Sequence, residues 1–328
     1  MRAFEYISPT NAQEVPALLG KSWGEVEILA GGTDLLSLMK DEVSTPRRLV
    51  NIKKVAGIHA VSNEAGSALR IGALATLDQI SGASDVQQRF HVVAAAAGEA
   101  ASPQIRNLAT IGGNLCQRPR CWYFRTRHGL LAQDKDGKSL VLEGDNRYHA
   151  ILGNDGPAYF VSPSTVAPVL IAYGARVRIL GPSGSRELPL EKFFVIPKSQ
   201  SEREHDLQPN EFITDVLVPS AKGVRAAHYE VRQKEAFDWP YATAAVALTM
   251  NGSTIQSARV VMGHVAPIPW VSPEAAQALQ GKAITQATAE EAAQAAVAKA
   301  KSLGHNTAKI HLARVAVKRA ILAAGGAA

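Results

Sequence analysis

Two short glycine elements constrain this chain more than any other feature. Ala30-Gly31-Gly32-Thr33-Asp34 follows the apolar alternation Val26-Glu27-Ile28-Leu29-Ala30, and Ala109-Thr110-Ile111-Gly112-Gly113-Asn114 repeats the strand-to-loop pattern further on. Glycine has no Cβ, so such turns reach positive φ and let backbone N–H groups approach a ligand. Successive N–H groups of this kind form nests for anions, and a helix start beyond them adds positive potential. One Gly-Gly pair by itself reads as a tight turn. A matched pair can grip the two phosphates of a dinucleotide. Neither element is a GxGxxG or a GxxxxGK[ST], which sets aside the Rossmann and P-loop readings.

The rest of the chain is organised around these elements. Thr33 and Asp34 are placed to cap a helix through Leu35-Leu36-Ser37-Leu38-Met39. Arg47–Ile52 and Ala68–Gly72 alternate as strands, and the alanine-rich run Val92–Ala101 reads as a helix closed by Ser102-Pro103. Val166–Ile179 reads as a helix and a strand, and Phe212–Pro219 as a strand ended by proline. Strands follow at Val224–Val231, Ala242–Met250 and Ser257–Gly263, then an alanine-rich helical region from Pro273 to Ala324 with a cap expected at Thr288-Ala289-Glu290-Glu291. Strands and helices are mixed without strict alternation, which predicts an α+β fold. At 328 residues the chain is long enough for two domains, expected at 1–221, with parts about 1–55 and 56–221, and at 222–328.

Composition narrows the function classes. With 46% hydrophobic and 20% charged residues the chain is an ordinary globular protein, without an apolar run long enough to span a bilayer. Two cysteines exclude a disulfide scaffold and suit a reducing compartment. The net charge of +6 is dispersed, so it permits an anionic ligand without forming a nucleic-acid footprint. The arginine-flanked Trp122-Tyr123-Phe124 therefore reads as a core or interface anchor. His59, His91, His205, His264 and His311 are scattered, and Lys309, Arg314, Lys318 and Arg319 read as a solvated or partner-facing helix stripe. No nucleophile signature is present.

Ala30-Gly31-Gly32-Thr33-Asp34-Leu35, Ser102-Pro103-Gln104-Ile105-Arg106-Asn107 and Ala109-Thr110-Ile111-Gly112-Gly113-Asn114, in this order and spacing, resemble the FAD-binding medium subunit of molybdenum hydroxylases, the family of xanthine dehydrogenases, aldehyde oxidoreductases and carbon monoxide dehydrogenases. The resemblance covers essentially the whole chain. Phe212–Pro219 resembles the strand before the family's C-terminal domain, and Asp238-Trp239-Pro240 its entry. Cys116–Arg125 with Asn146–Ile151 resembles an insert, about 116–153, of aldehyde oxidoreductases.

The resemblance implies a two-part FAD domain of the vanillyl-alcohol oxidase type followed by a smaller α+β domain. It places the pyrophosphate on Gly31, Gly32, Thr33 and Asp34, flanked by Leu29, Ala30 and Leu35, with Gly112, Gly113 and Asn114 opposite. It brings Ala100, Gln104, Thr110 and Ile213 to the ring and ribityl, and Ser102, Ile105, Ala109 and Thr165 complete the expected cofactor-binding set. It departs from the family at Thr165, where an acid is common, and at Glu230, where a lysine is common. The implied function is electron transfer, in which a separate large subunit holds molybdopterin, a small subunit holds [2Fe–2S] clusters, and this FAD passes electrons to oxygen, NAD or another acceptor. The implied substrate is an aldehyde. A [4Fe–4S] cluster needs about four thiolates, so Cys116 and Cys121 do not suffice, and a zinc site on Cys116, Cys121, His128 and His149 has no recognised spacing. The cytoplasm is the expected compartment, with periplasmic export on a signal-bearing partner left open. Two other readings stand beside this one: a stand-alone flavin oxidoreductase with its own substrate pocket, and a non-redox assembly subunit that has lost FAD.

Overall fold

The computed structural model describes residues 1–65 and 68–326. Three sheets, each with its own helical cover, follow one another along the chain. The first is parallel, with Arg48–Asn51 between Glu5–Ile7 and Val26–Leu29. Its strands are short, and Arg48 is fixed across it by Glu5 at 2.7 Å. The second is an antiparallel sheet of five strands in the order Val61–Asn63, Leu69–Gly72, Phe212–Val218, Arg176–Gly181, Gly184–Pro189. Leu69, Ile71, Val177, Ile179 and Val216 point from it into a core shared with His91–Glu99 and Val166–Ala172.

The third sheet runs Trp270–Val271, Thr254–Gly263, Ala242–Asn251, Val224–Val231, all antiparallel. Three helices cover one face: Pro273–Leu279, Gln286–Val297 and Thr307–Ala324. Its central strand is buried on both faces from Ala242 to Leu248, which explains its small side chains. Successive residues point to opposite faces. Ala245 and Ala247 therefore enter the core of the second sheet, while Ala244, Val246 and Leu248 enter the core under the C-terminal helices. One strand joins two cores. Among the described residues no helix is long and apolar enough to cross a membrane.

Several local expectations change. The alanine-rich helix stops at Glu99, and Ala101 has φ of 48°. The helix expected to be capped at Thr288 is capped one turn earlier by Thr285, whose hydroxyl accepts from Thr288 N–H. Ile111–Cys116 is a helix with Thr110 as its N-cap, so Gly112 and Gly113 lie in a helical turn rather than a loop. Lys309 is not part of a solvated stripe. It is 3% exposed, and its Nζ donates to the carbonyls of Tyr148 (2.7 Å) and His149 (3.0 Å) in the insert.

Burial pushes Lys309 down from its ordinary value of 10.5 to about 7. The folded chain thus sheds this proton near pH 7 and the unfolded chain near 10.5, so between them the unfolded state binds more protons and stability rises with pH. Thermal denaturation should show the wild type gaining on Lys309→Met as the pH is raised from about 7 towards 10. A difference that stays flat or falls would contradict a buried, proton-shedding lysine.

Candidate functional site

A cavity of about 1040 Å³ opens where the first sheet, the second sheet and the start of the third meet. That is at the upper end of the roughly 300–1,000 Å³ range of small-molecule sites, which suits an extended ligand. The strand Val26–Leu29 ends at its edge, and Ala30, Gly31, Gly32, Thr33, Asp34 and Leu35 all line it. From the other side come Ala100, Ser102, Ile105, Ala109, Thr110, Gly113 and Asn114, with Thr165 at the inner wall. Four expected residues lie elsewhere. Leu29 is in the core beneath the first sheet, Ile213 is in the core of the second, Gln104 is exposed, and Gly112 packs against Ala73.

The glycines have different tasks. A Cβ on Gly31 would stand 1.8 Å from the carbonyl oxygen of Leu108, so Gly31 is what lets the two glycine elements touch. Gly32 has φ of 76°, the left-handed region open to glycine. Beyond it the N–H groups of Gly32, Thr33, Asp34 and Leu35 have no acceptor among the described residues. Four open donors in succession on a cavity wall form an anion nest. The second element differs. Its N–H groups are already used, Ile111 by Ala75 O, Gly112 by Ala73 O, Gly113 by Thr110 Oγ1 and Asn114 by Thr110 O. One nest is present where two were expected. A diphosphate ester fits it, because such anions seek donors that would otherwise stay unpaired in a water-poor cleft.

Asp34 does not cap its helix. Its carboxylate accepts from Arg118 N–H (2.8 Å), Arg120 Nη1 (2.5 Å) and Arg125 Nη2 (2.7 Å), all from the insert. Burial by itself would raise its pKa, yet Arg120 and Arg125 outweigh that and hold it below the ordinary carboxylate value. Arg120 also lies over the Trp239 ring at 4.9 Å, so an arginine of the insert meets an aromatic of the second domain on the cavity rim. Thr165 and Arg232 both line the cavity, and Arg232 Nε is paired with the Glu230 carboxylate at 3.0 Å.

The cysteines are both free. Burial, and then the charge of Glu204, pushes the Cys116 thiol up to about 12, and the Cys121 Sγ lies 3.2 Å from His149 Nε2. His128 is exposed. Trp122 and Tyr123 pack around His149, with Tyr148 on the other edge of Trp122, an aromatic anchor for the insert. Arg118, Arg120 and Trp239 were legible as motif residues but not as cavity walls, because their pairing spans long separations. Trp23 and Glu27 on the rim carried no signal at all.

Residues 2–221 match the family model of the FAD-binding domain in molybdopterin dehydrogenase. The chain belongs to this family. Residues 227–324 match the carbon monoxide dehydrogenase flavoprotein C-terminal domain. The chain is 31% identical over 272 residues to the aldehyde oxidoreductase FAD-binding subunit PaoB of Escherichia coli K12, covering 82% of this chain and 84% of that one. It is 30% identical over 326 residues to the carbon monoxide dehydrogenase medium chain of Hydrogenophaga pseudoflava, covering 98% and 96%. Among solved structures, carbon monoxide dehydrogenase from Hydrogenophaga pseudoflava that lacks the Mo-pyranopterin moiety aligns with a TM-score of 0.78 at 29% identity, over 99% of this chain and 98% of that one. The α+β architecture is the family's.

Two substitutions separate contact from support. Gly31→Ala should lower the melting temperature, an overpacking cost of ~1–3 kcal/mol, and reduce flavin content. Gly113→Ala, whose new methyl meets only Thr110 Oγ1 at 3.1 Å, should do much less. Equal melting temperatures would show that the two elements do not need to touch. Asp34→Asn leaves Arg120 and Arg125 without their shared carboxylate and should cost about 3 kcal/mol. Limited proteolysis should then cut first within 116–153; cleavage elsewhere first would count against the tie.

Proposed function

We propose that this chain is the FAD-carrying electron-transfer subunit of a multi-subunit molybdenum hydroxylase that oxidises an aldehyde. The observation that carries the reading is the run of open donors from Gly32 to Leu35 on the wall of a cavity of about 1040 Å³. These N–H groups hold the pyrophosphate. Ala30, Gly31, Ala100, Ser102, Ile105, Ala109, Thr110, Gly113, Asn114 and Thr165 form the walls around the rest of the cofactor. Leu29, Gln104, Gly112 and Ile213 act behind the wall, by packing or by shaping the loops.

Bound FAD supplies a centre that accepts and releases electrons one or two at a time. The chain's own residues bind and orient it and exclude water from its inner side. Substrate oxidation belongs to a large molybdopterin subunit, and a small [2Fe–2S] subunit delivers the electrons. The division of labour places no demand on this chain for an acid or base acting on the organic substrate. The aldehyde class rests on the similarity to PaoB and on the insert. Two free, protonated cysteines favour assembly in the cytoplasm. In this reading residues 1–221 hold FAD and residues of 222–328, among them Arg232 and Trp239, complete the rim of its cavity.

A visible spectrum, flavin extraction and iron assay on one sample of purified chain test this. About one FAD per chain with negligible iron is expected. A colourless protein that stays so after FAD is added would contradict the redox role, and about four irons per chain would contradict the assignment of the clusters to partners.

A further inference from the structure

Among the described residues five cationic side chains reach the cavity wall: Lys21, Arg118, Arg120, Arg203 and Arg232. Lys21 is exposed. Arg118 is paired with Glu204 at 2.9 Å and Arg120 with Asp34 at 2.5 Å, and both arginines come from the insert beside the nest. Arg203 is paired with Glu27 at 3.0 Å and lies over the Trp23 ring at 4.8 Å. Arg232 stands apart from these. It follows the strand Val224–Val231, with 9% of its side chain exposed, and its Nη1 donates to the Glu99 carbonyl at 2.7 Å. That bond fixes the guanidinium beside Ala100, Ala101 and Ser102, which are themselves on the wall. Arg106 holds the next two carbonyls, of Ala100 (3.1 Å) and Ala101 (2.9 Å), so the turn at Ala101 is pinned by two arginines.

The counter-charge of Arg232 is Glu230, whose Oε2 lies 3.0 Å from Nε and whose side chain is 1% exposed. Arg232 lines the cavity and Glu230 does not, so a ligand there meets the guanidinium first and the carboxyl behind it. The Glu230 oxygens have no hydrogen-bond partner, and among the described residues no hydrogen bond uses Arg232 Nη2. A buried pair with so little hydrogen-bond support is a poor device for stability. Burial also pushes the Glu230 carboxyl up to about 7, against the pull of Arg232, so near neutrality it cancels the arginine's charge only in part. The guanidinium itself stays charged. The wall beside it, Ala100, Ala101, Ser102 and Thr165, carries small side chains that leave room for a flat ring. The open donors for the pyrophosphate lie on a different element, Gly32 to Leu35, so Arg232 is not needed for the phosphates.

We propose that Arg232 sets the reduction potential of the flavin: its guanidinium faces the ring from the inner wall and favours the reduced form over the oxidised one, and Glu230 behind it moderates that effect. This rests on the reading that the cavity holds FAD. Reduction takes two electrons from an iron–sulfur donor, or from dithionite in the test, and one proton from water, and it leaves one negative charge on the ring. A cation already fixed at the wall stabilises that charge without reorganising, and more strongly in a water-poor cleft than in water. The oxidised ring carries no such charge and gains little. Charge placed near the ring is one of the means by which a protein tunes this cofactor. The Glu230 carboxylate acts on the ring with the opposite sign, so the two residues have opposite expected effects.

The test is the two-electron potential of the FAD-loaded full chain, read against a reference dye during slow reduction by dithionite, together with the affinity for oxidised FAD. Arg232→Gln should bind oxidised FAD much as the wild type does and lose about tenfold in relative affinity for the reduced form, the scale of one hydrogen bond to a charged group. That loss is a potential ~30 mV lower for a two-electron couple. Arg232→Lys should keep most of the wild-type potential. Glu230→Gln removes the opposing carboxylate and should shift the potential upward. An unchanged potential in Arg232→Gln, or affinity lost equally for oxidised and reduced FAD, would reduce the arginine to a structural role and overturn the proposal. So would a potential that falls in Glu230→Gln, a variant that decides the matter even if Arg232→Gln does not load FAD. Failure of the wild type to bind FAD would instead contradict the cofactor reading.

Discussion

The structure depends on a contact that only a glycine permits. Gly31 lies against the carbonyl of Leu108 with no room for a Cβ, and this brings the end of the first sheet onto the loop that precedes Thr110. The cavity exists because of that approach. With the two elements apart, the donors of Gly32 to Leu35 would face water, where an anion gains little from them. With the elements together, those donors line a cleft whose far wall is Ala109, Thr110 and Gly113. The second glycine pair then needs no nest of its own. Gly112 lets a helix start against Ala73, and the pair's N–H groups are spent on holding that start in place.

The insert acts as a strap across the domains. At one end Arg118, Arg120 and Arg125 gather on Asp34 beside the nest. At the other, Asn146 donates to Leu303 O and accepts from His305 N–H, Asn306 donates to the carbonyls of His149 and Ala150, and Lys309 donates to those of Tyr148 and His149. These bonds satisfy backbone groups that an irregular buried segment would leave unpaired. They also couple the first glycine loop to the C-terminal helices over more than 250 positions of sequence (Asp34 to Lys309). The strand Ala242–Asn251 couples the same units by packing, with alternate residues in two cores. A rigid frame of this kind suits a cofactor that must be held at a fixed place relative to partner subunits.

Much of this was legible in the sequence, and the limits have physical causes. Strands such as Leu69–Gly72 and Phe212–Val218 fall where the pattern put them, whereas Thr254–Gly263 starts three residues before the expected Ser257. The open backbone donors of the first glycine loop were legible because its spacing and flanks are local. The second was misread as a nest, since its N–H groups are satisfied by Ala73 and Ala75, nearly 40 positions away (Gly112 to Ala73). Asp34 looked like a helix cap for the same reason; its arginine partners lie more than 80 residues downstream. Lys309 sits in a basic run that reads as exposed, and only the insert's carbonyls explain its burial. Thr165 and Glu230 were each legible as departures, but the burial of Glu230 beside Arg232 behind the cavity wall is a tertiary feature.

The central claim is that a single nest, Gly32 to Leu35, takes the charge of the cofactor. Backbone amide spectra of the isotope-labelled chain, recorded as FAD is added, test it most directly. The amides of Gly32, Thr33, Asp34 and Leu35 should move downfield together and saturate as one site fills, because they gain an acceptor they lacked. Those of Ile111, Gly112, Gly113 and Asn114, already bonded within the protein, should move far less. Large shifts in the second set with none in the first would contradict this account of the site.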